Sequence, residues 1–184
     1  MFVGVLSAQT IVTSKSYRTD FEDNNEHKNW RLNTGPRGGE CVNKWYFGKP
    51  GSNGGDYGLF VSKDGTSNDY EASALSVVAY RSLALDAGEY EFSFDWRAAG
   101  WQDSISNIDG LYVCWVPDSV KTNSLRGSTL PPFIEEYALN FGRKTAKLSQ
   151  SDWNTIVDTI RTDGTPHKIV FVWRNGMNGT YSPA

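Results

Sequence analysis

Acidic and amide side chains crowd a short stretch near the start of the chain, where they could bind a metal ion. The residues are Asp20, Glu22, Asp23, Asn24 and Asn25. Carboxylate, amide and backbone carbonyl oxygens are the ligands that Ca²⁺ prefers, about six to eight at a time. The spacing is not that of an EF-hand loop, so an ordinary acidic loop is the simpler alternative on composition alone. The stretch is therefore a candidate calcium site.

Paired carboxylates are the second kind of chemistry that the residue types allow. Glycoside hydrolases use two carboxyl groups roughly 5 to 10 Å apart. The candidates are Glu89 with Glu91, or Asp95 with Asp103 or Asp109. On one strand, Glu89 and Glu91 point to the same side, and antiparallel sheets normally carry solvent-exposed charges on one face. The sequence therefore favours solubilising charges and predicts a non-catalytic protein.

The histidines and serines give little indication of nucleophilic or metal-assisted hydrolysis. His27 and His167 are the only histidines, and neither lies in an HExxH motif. No GxSxG sequence surrounds Ser62 or Ser93. A Ser-His-Asp triad needs a nucleophile, a base and an acid in a defined setting. The sequence gives no such setting.

Aromatic side chains beside loops could stack on a sugar ring or another ligand. Trp30, Trp45, Tyr46 and Trp101 are next to loop-like stretches. Most of the 7 tryptophans must lie in the core, because large aromatic side chains dominate burial. Trp101 is the strongest candidate, since it follows Gly100 in a polar setting. We expect Trp101, Trp45 and Tyr46 to contribute to ligand binding.

These candidates are positioned by β-strands, and the clearest strand lies within residues 85–101. Tyr90, Phe92, Phe94 and Trp96 fall on one side, and Glu89, Glu91, Ser93 and Asp95 fall on the other. Successive side chains of a strand point to opposite faces, so this pattern gives one aromatic and one polar face. An aromatic face of this size must be buried against a second layer.

Further apolar runs separated by turn residues complete the predicted fold. We expect strands at residues 44–48, 57–62, 76–85, 111–116, 153–160 and 167–173. The run 111–116 is apolar at every position and is expected to be buried on both faces or to lie in mid-sheet. Residues 133–139, after two prolines, could form one or two helical turns. The sequence predicts an all-β sandwich of two antiparallel sheets with at most one short helix.

Composition limits the domain count and the partners. The 184 residues fit one domain, and a net charge of −3 without a basic run argues against nucleic acid. Residues 1–9 resemble the end of a secretory signal peptide or another N-terminal extension, and a short edge strand is an equal alternative. They are too short to span a membrane, so we expect no membrane insertion.

The two cysteines do not form a metal or redox motif. Cys41 and Cys114 are far apart in sequence, and no CxxC pair exists. In an exported chain they could form a disulfide, and two buried free thiols are an equal alternative. The sequence leaves both possibilities open.

Several motifs, taken in order, resemble one known family. They include residues 20–22 (DFE), 44–48 (KWYFG), 58–65 (GLFVSKDG), 92–97 (FSFDWR) and 171–175 (FVWRN). This order is similar to that of the cleaved-adhesin family, also called the choice-of-anchor J domain, which is distantly like MAM domains. The resemblance covers about residues 19–184, and the FSFDWR and FVWRN strands are its most specific parts.

The resemblance implies a jelly-roll sandwich in residues 10–184 and a non-catalytic role in binding. It implies secretion or display on a bacterial cell surface, within a larger protein with neighbouring domains. The implied ligand is a host protein or a glycan. It also implies structural calcium near the opening strand, and by position this points to Asp20, Glu22, Ser62 and Asp64.

The sequence departs from the family pattern after residue 175. Family domains continue with a closing strand that contains Ile-Asp-Asn, which is not found here. A metal ligand and a strand partner from that segment would then be missing, which places the calcium site in doubt. The alternative function is a carbohydrate-binding module attached to a polysaccharide-degrading enzyme.

Overall fold

The computed structural model describes residues 12–100, 109–140 and 150–177. Within these ranges the strands are β1 Val12–Ser14, β2 Trp30–Leu32, β3 Lys44–Gly48, β4 Gly58–Ser62, β5 Leu75–Leu85, β6 Gly88–Ala98, β7 Gly110–Pro117, β8 Leu125–Arg126, β9 Gln150–Thr162 and β10 His167–Asn175. Two short α-helices are α1 Asn24–His27 and α2 Phe133–Tyr137. The protein is therefore almost entirely β-structure in this part of the chain.

The first layer is a six-stranded sheet built around β5. Strand β10 pairs antiparallel with β5 along its whole length, from His167 opposite Leu83 to Asn175 opposite Leu75. The other edge of β10 pairs antiparallel with β7. The short strands β2 and β8 pair antiparallel with β5, and β1 pairs with it in parallel.

Both faces of this large sheet are buried. On the inner face, Val77, Val113 and Trp173 belong to the core between the two layers. On the outer face, Val78, Cys114 and Val170 pack against Phe133 and Ile134 of α2. All six residues 111–116 are buried, because alternate side chains enter the two cores. The prediction that this run is buried on both faces is confirmed.

The second layer consists of two ribbons of two strands each. Strands β3 and β4 form the first ribbon, and β6 and β9 form the second. The indole N–H of Trp45 donates to the carbonyl oxygen of Val77, 2.9 Å away, and holds the first ribbon against the large sheet. The rings of Phe94 and Phe171, with centroids 5.5 Å apart, connect the second ribbon to the same sheet.

The predicted all-β sandwich of antiparallel sheets is confirmed, with a second short helix in addition to the expected one. Helix α2 follows the two prolines as predicted. Helix α1 forms where a polar loop was expected, because the Asp23 carboxylate accepts a hydrogen bond from the amide of Asn25 and caps the turn. Residues 1–9, the predicted signal remnant, lie outside the described residues. In the part that the structure describes, no helix is long and apolar enough to cross a bilayer.

The two cysteines are free thiols in different cores. Cys41 lies in the core between the layers, and Cys114 lies in the cluster on the outer face of the large sheet. Burial raises the pKa of Cys114 to about 12. Of the two alternatives left open by the sequence, the structure shows the buried thiols.

Candidate functional site

The aromatic face of β6 is only partly covered. Tyr90, Phe92 and Phe94 are half-buried, and of the four aromatic residues on this face only Trp96 is fully buried. The acidic and hydroxyl side chains of the other face are exposed, so the predicted alternation is confirmed. The expectation of a fully buried aromatic face is not met. The reason is an open space between the two ribbons.

This space, here called the inter-ribbon cleft, has a volume of about 870 Å³. Strands β4 and β6 contribute Gly58–Phe60 and Tyr90–Ala98 to its walls, and the large sheet contributes the rings of Trp115 and Phe171. Residues 16–22 and several residues between Pro50 and Tyr57 also line it. The lining of the cleft thus combines aromatic and polar side chains.

The strands that face the cleft have an edge without a strand partner in the described ranges. Strand β4 pairs only with β3, and β6 pairs only with β9. The far edge of β3 is already occupied, since the Asn33 side chain accepts from the Trp45 amide at 2.7 Å and donates to its carbonyl oxygen at 3.1 Å. Within the described residues, the edge of the first ribbon without a partner is therefore that of β4.

Polar contacts close one end of the cleft. The side-chain amide of Asn53 donates to Asp95 Oδ2 at 3.1 Å. The guanidinium of Arg97 donates to the carbonyl oxygen of Pro50 at 3.3 Å, and its central carbon lies 4.8 Å from the centroid of the Trp153 ring. These contacts join the loop before β4 to the second ribbon.

Three of the candidate catalytic carboxylates, Asp95, Glu89 and Asp109, are engaged separately. Asp95 Oδ1 accepts from the Thr155 hydroxyl at 2.6 Å, in addition to the bond from Asn53. Glu89 pairs with Arg161 at 2.7 Å on the exposed face. Asp109 is buried and accepts from the Tyr70 hydroxyl and from the Gly176 amide. Asp103 lies outside the described residues.

The first pair of predicted calcium ligands binds backbone amides. Asp20 Oδ1 accepts from the Glu22 amide at 3.1 Å. Glu22 Oε1 accepts from the amides of Asp56 and Tyr57, each at 3.0 Å. A side chain at Gly55 would overlap the Glu22 carboxylate, so the glycine permits this approach. Amide N–H groups therefore occupy positions beside the carboxylate that a cation would need.

The second pair forms a self-contained turn. Asp64 accepts from the amides of Ser67 and Thr66 at 3.0 and 2.8 Å, and from the Ser62 hydroxyl at 2.9 Å. These bonds, with the Ser67 amide first, hold the pKa of Asp64 well below its usual value. Within the described ranges, no group of three or more His, Cys, Asp or Glu residues is placed to hold a metal ion. The residues in this arrangement do not fit a shared calcium site, and calcium binding stays a prediction.

The predicted aromatic ligand residues occupy different environments. Trp45 is buried and lines the cleft only from its inner side. Tyr46 is half-buried and packs on Phe60, with ring centroids 6.0 Å apart. Trp30 is also buried, and its ring lies 5.4 Å from that of Phe21. Trp101 lies outside the described residues.

Sequence reasoning missed five residues of the cleft lining. They are Asn53, Phe92, Phe94, Arg97 and Trp153. The alternation in β6 identified the aromatic face but gave no sign that the layer containing β6 is divided into two ribbons. Arg97 and Trp153 come together only because β6 and β9 pair, which places residues far apart in sequence next to each other.

A smaller hollow of about 390 Å³ lies on the outer face of the large sheet. Two of its charged groups, Lys168 and Asp118, already have partners. Lys168 Nζ donates to the carbonyl oxygen of Val120 at 2.7 Å and lies 5.0 Å from the centroid of the Tyr80 ring. Asp118 accepts from the Ser82 hydroxyl at 2.6 Å. Burial lowers the pKa of Lys168. The inter-ribbon cleft is therefore the stronger candidate site.

Comparisons with protein-family models, with curated proteins and with solved structures found no match to this chain. The resemblance to the cleaved-adhesin family therefore stays a prediction.

Proposed function

We propose that this protein is a non-catalytic binding module of a secreted or cell-surface protein, and that its ligand lies in the inter-ribbon cleft. The observation that carries the proposal is the half-buried aromatic face of β6 beside a space of about 870 Å³. Ligand sites are concave, lined mainly by apolar and aromatic side chains, with a few placed polar groups. The cleft has all three features.

A binding role agrees with the state of the carboxylates at the cleft. Among the catalytic candidates, Asp95 lies beside Asn53. It accepts hydrogen bonds on both carboxylate oxygens. A glycoside hydrolase needs one carboxyl group with a raised pKa facing a second carboxylate. In the described geometry, Asp95 accepts hydrogen bonds that link a loop to β6 and β9. This structural role supports the non-catalytic proposal.

The aromatic residues favour a ligand with apolar side chains over a flat sugar chain. Trp30, Trp45, Trp96, Trp115 and Trp173 are all buried. Trp153 is half-buried in the cleft lining, with the guanidinium of Arg97 over its ring. The exposed large hydrophobic residues of the described part are Val42, Val157 and Met177, so no tryptophan of this part is fully exposed. A host protein is therefore the favoured partner, and the carbohydrate-binding module is the alternative.

Binding to one panel of extended peptides and defined oligosaccharides tests the proposal. Wild type is compared with Phe92→Ala, which shortens a side chain on the cleft wall, and with Val157→Ala, on the exposed face of β9. We expect ligands that lose at least tenfold in affinity in Phe92→Ala and keep it in Val157→Ala. Ligands bound equally by all three proteins would place the binding surface elsewhere.

A further inference from the structure

We propose that the hollow on the outer face of the large sheet is a second binding site, which takes a small ligand through an oxyanion group, a carboxylate or a phosphate, held by Lys168 and Thr122. This outer hollow has a volume of about 390 Å³. Its lining shares no residue with that of the inter-ribbon cleft, which lies on the other face of the sheet. The inference is therefore independent of the function proposed for the cleft.

The register of the large sheet places two cations on the same face. Arg31 of β2 is paired with Tyr80 of β5, and residues paired across neighbouring strands point to the same side. Lys168 of β10 is paired with Ser82, two positions along β5 from Tyr80, so it shares that side. Arg31 and Lys168 therefore both stand on the outer face, beside the Tyr80 ring.

Lys168 carries a buried ammonium group that is only partly satisfied. The residue is 6% exposed, and its Nζ donates to the carbonyl oxygen of Val120 at 2.7 Å, 5.0 Å from the centroid of the Tyr80 ring. Among the described residues it forms no ion pair. An ammonium group has three donors, and a buried charge is costly unless it is paired. Because Val120 and Tyr80 both line the hollow, Nζ lies at its wall, where an oxyanion would supply the opposite charge.

Asp118 compensates for the charge of Lys168 only in part. Burial lowers the pKa of Lys168, and the nearby Asp118 carboxylate acts in the opposite direction without restoring the usual value. Asp118 itself accepts from the Ser82 hydroxyl at 2.6 Å. Lys121 and Arg31 also line the hollow, and Arg31, which has other contacts within the protein, contributes its charge. Three cations thus face one acid in a protein of net charge −3, and such a local excess attracts anions.

Thr122 gives a second and independent sign of a missing partner. It is 3% exposed and lines the hollow, and its hydroxyl oxygen has no hydrogen-bond partner in the part of the chain that the structure describes. Buried hydroxyl groups are rarely left in this state. Thr122 is two positions from Val120, whose carbonyl oxygen contacts Lys168 Nζ, so both groups belong to one short segment. A hydroxyl group can donate to an oxyanion.

The segment that carries these groups is held in place at both ends. The Thr34 hydroxyl donates to the carbonyl oxygen of Thr122, and the Ser124 amide donates to that of Thr34 at 2.8 Å. At the other end, the Asp118 amide donates to the carbonyl oxygen of Pro166 at 2.9 Å. The hollow is therefore formed before a ligand binds. Its volume is near the lower end of the range for small-molecule sites, roughly 300 to 1,000 Å³, which favours a small ligand.

Titration with two simple oxyanions tests the site. Inorganic phosphate and glucuronate are added to the protein at constant ionic strength, and glucose is the neutral control for glucuronate. Affinity is measured by calorimetry, and stabilisation is measured by thermal unfolding. We expect at least one of the two anions to bind and to raise the unfolding midpoint, whereas glucose should have no effect. The anion that binds more tightly identifies the oxyanion group.

Lysine variants locate the bound anion. Lys168→Met removes the ammonium group and keeps most of the side-chain volume, and we expect it to weaken the anion about tenfold or more. Lys121→Met, at an exposed position of the lining, should weaken it several-fold at low salt. Lys63→Met makes the same change at an exposed position outside the lining and should leave the affinity unchanged.

Thr122→Val separates a binding role of the hydroxyl from a structural one. The substitution keeps the shape of the side chain and removes a buried group that has no partner in the described structure. We therefore expect the unliganded protein to be as stable as wild type or more stable, while the affinity for the anion falls several-fold. Lower stability with unchanged affinity would show that the hydroxyl is structural and would overturn its part in the site.

The remaining contrary results overturn the inference as a whole. If neither anion binds at tens of millimolar, water satisfies Lys168 and Thr122. If Lys63→Met weakens binding as much as Lys121→Met, the anion is attracted by net charge alone. If Lys168→Met does not fold, unchanged affinity in both Lys121→Met and Thr122→Val excludes the site. These results leave the cleft untouched, since its test uses peptides and oligosaccharides.

Discussion

The side-chain amide of Asn53 donates to the carboxylate of Asp95, with the two atoms 3.1 Å apart. Asn53 precedes β4 and Asp95 lies in β6, so this bond joins the two ribbons of the second layer. The Thr155 hydroxyl donates to the other oxygen of the same carboxylate at 2.6 Å. One acidic residue therefore links a loop, β6 and β9 at the end of the cleft.

Replacing Asp95 by alanine is expected to lower the free energy of unfolding by about 1 kcal/mol, because two hydrogen bonds at a solvent-exposed site are lost. Urea-induced unfolding measures the change. The matched control is Glu91→Ala, on the same exposed face of β6, which should stay within about 0.5 kcal/mol of wild type. Equal effects of the two substitutions would show that the Asn53 and Thr155 bonds do not stabilise the fold.

An ion pair between a buried arginine and a partly buried glutamate makes stability depend on pH. Arg81 is fully buried in β5, and its Nε donates to Glu26 Oε1 of α1 at 2.7 Å. The Tyr17 hydroxyl donates to the same oxygen at 2.6 Å. Burial by itself would raise the pKa of Glu26, but the bonds from Arg81, Tyr17 and Asn29 outweigh it, and the pKa lies below its usual value.

Because the folded pKa of Glu26 is lowered, its contribution is complete above the usual glutamate value of 4.5 and is lost as the pH falls below it. Glu26→Gln should lower stability at pH 7 by about 3 kcal/mol, since Arg81 is left buried without its carboxylate. The variant should also lose less stability than wild type between neutral and acid pH. Glu40→Gln is the control, because its pair with Arg126 is exposed. Identical acid sensitivity of wild type and Glu26→Gln would contradict this assignment.

Helix α2, which packs on the outer face of the large sheet, is part of the stable fold. Ile134 of α2 is buried against Val78, Val170 and their neighbours. Ile134→Ala should lower the free energy of unfolding by about 3 kcal/mol, through lost burial and the cavity that remains. Val157→Ala, at an exposed position of β9, should change it by less than about 0.5 kcal/mol. A small effect of Ile134→Ala in chemical unfolding would mean that α2 is not packed as described.

A substitution at Glu22 can distinguish its hydrogen bonds to backbone amides from the calcium binding that the family resemblance implies. Glu22→Ala removes the acceptor for the amides of Asp56 and Tyr57 and should lower stability by about 1 to 2 kcal/mol. If Glu22 acts through these amides, the loss is the same in EDTA and in excess calcium, which is the result we expect from thermal unfolding. A calcium-dependent rise in the wild-type midpoint that disappears in Glu22→Ala would instead establish the metal site.

Local patterns in the sequence predicted the strands well. The alternation of β6 and the continuous apolar run of β7 both matched the environments that the structure shows, because each depends on the two faces of a single strand. Gly65 and Gly164, each preceded by an aspartate, adopt a positive φ, as is typical of Asp-Gly turns. One local error was α1, where the Asp23 cap produced a helical turn in a polar stretch.

The candidate site was less predictable because it depends on contacts between distant residues. Among the described residues, β4 pairs only with β3 and β6 only with β9, and alternation within a strand does not reveal these neighbours. The metal candidates had the right residue types, but Gly55 allows the backbone to approach Glu22 and supply N–H donors. Trp45 lies beside a loop in sequence, yet its indole is bonded to the carbonyl oxygen of Val77 in the core.

The most direct test of the central claim is the footprint of a bound ligand, measured by amide hydrogen exchange with a ligand found in the binding panel. The account predicts slower exchange in β4, in β6 and in the loop of residues 50–57, which together line the cleft. Exchange in α2 should be unchanged, because it packs on the opposite face of the large sheet. Protection confined to residues 31–35 and 118–123, around the outer hollow, would contradict the account and move the binding site to that face.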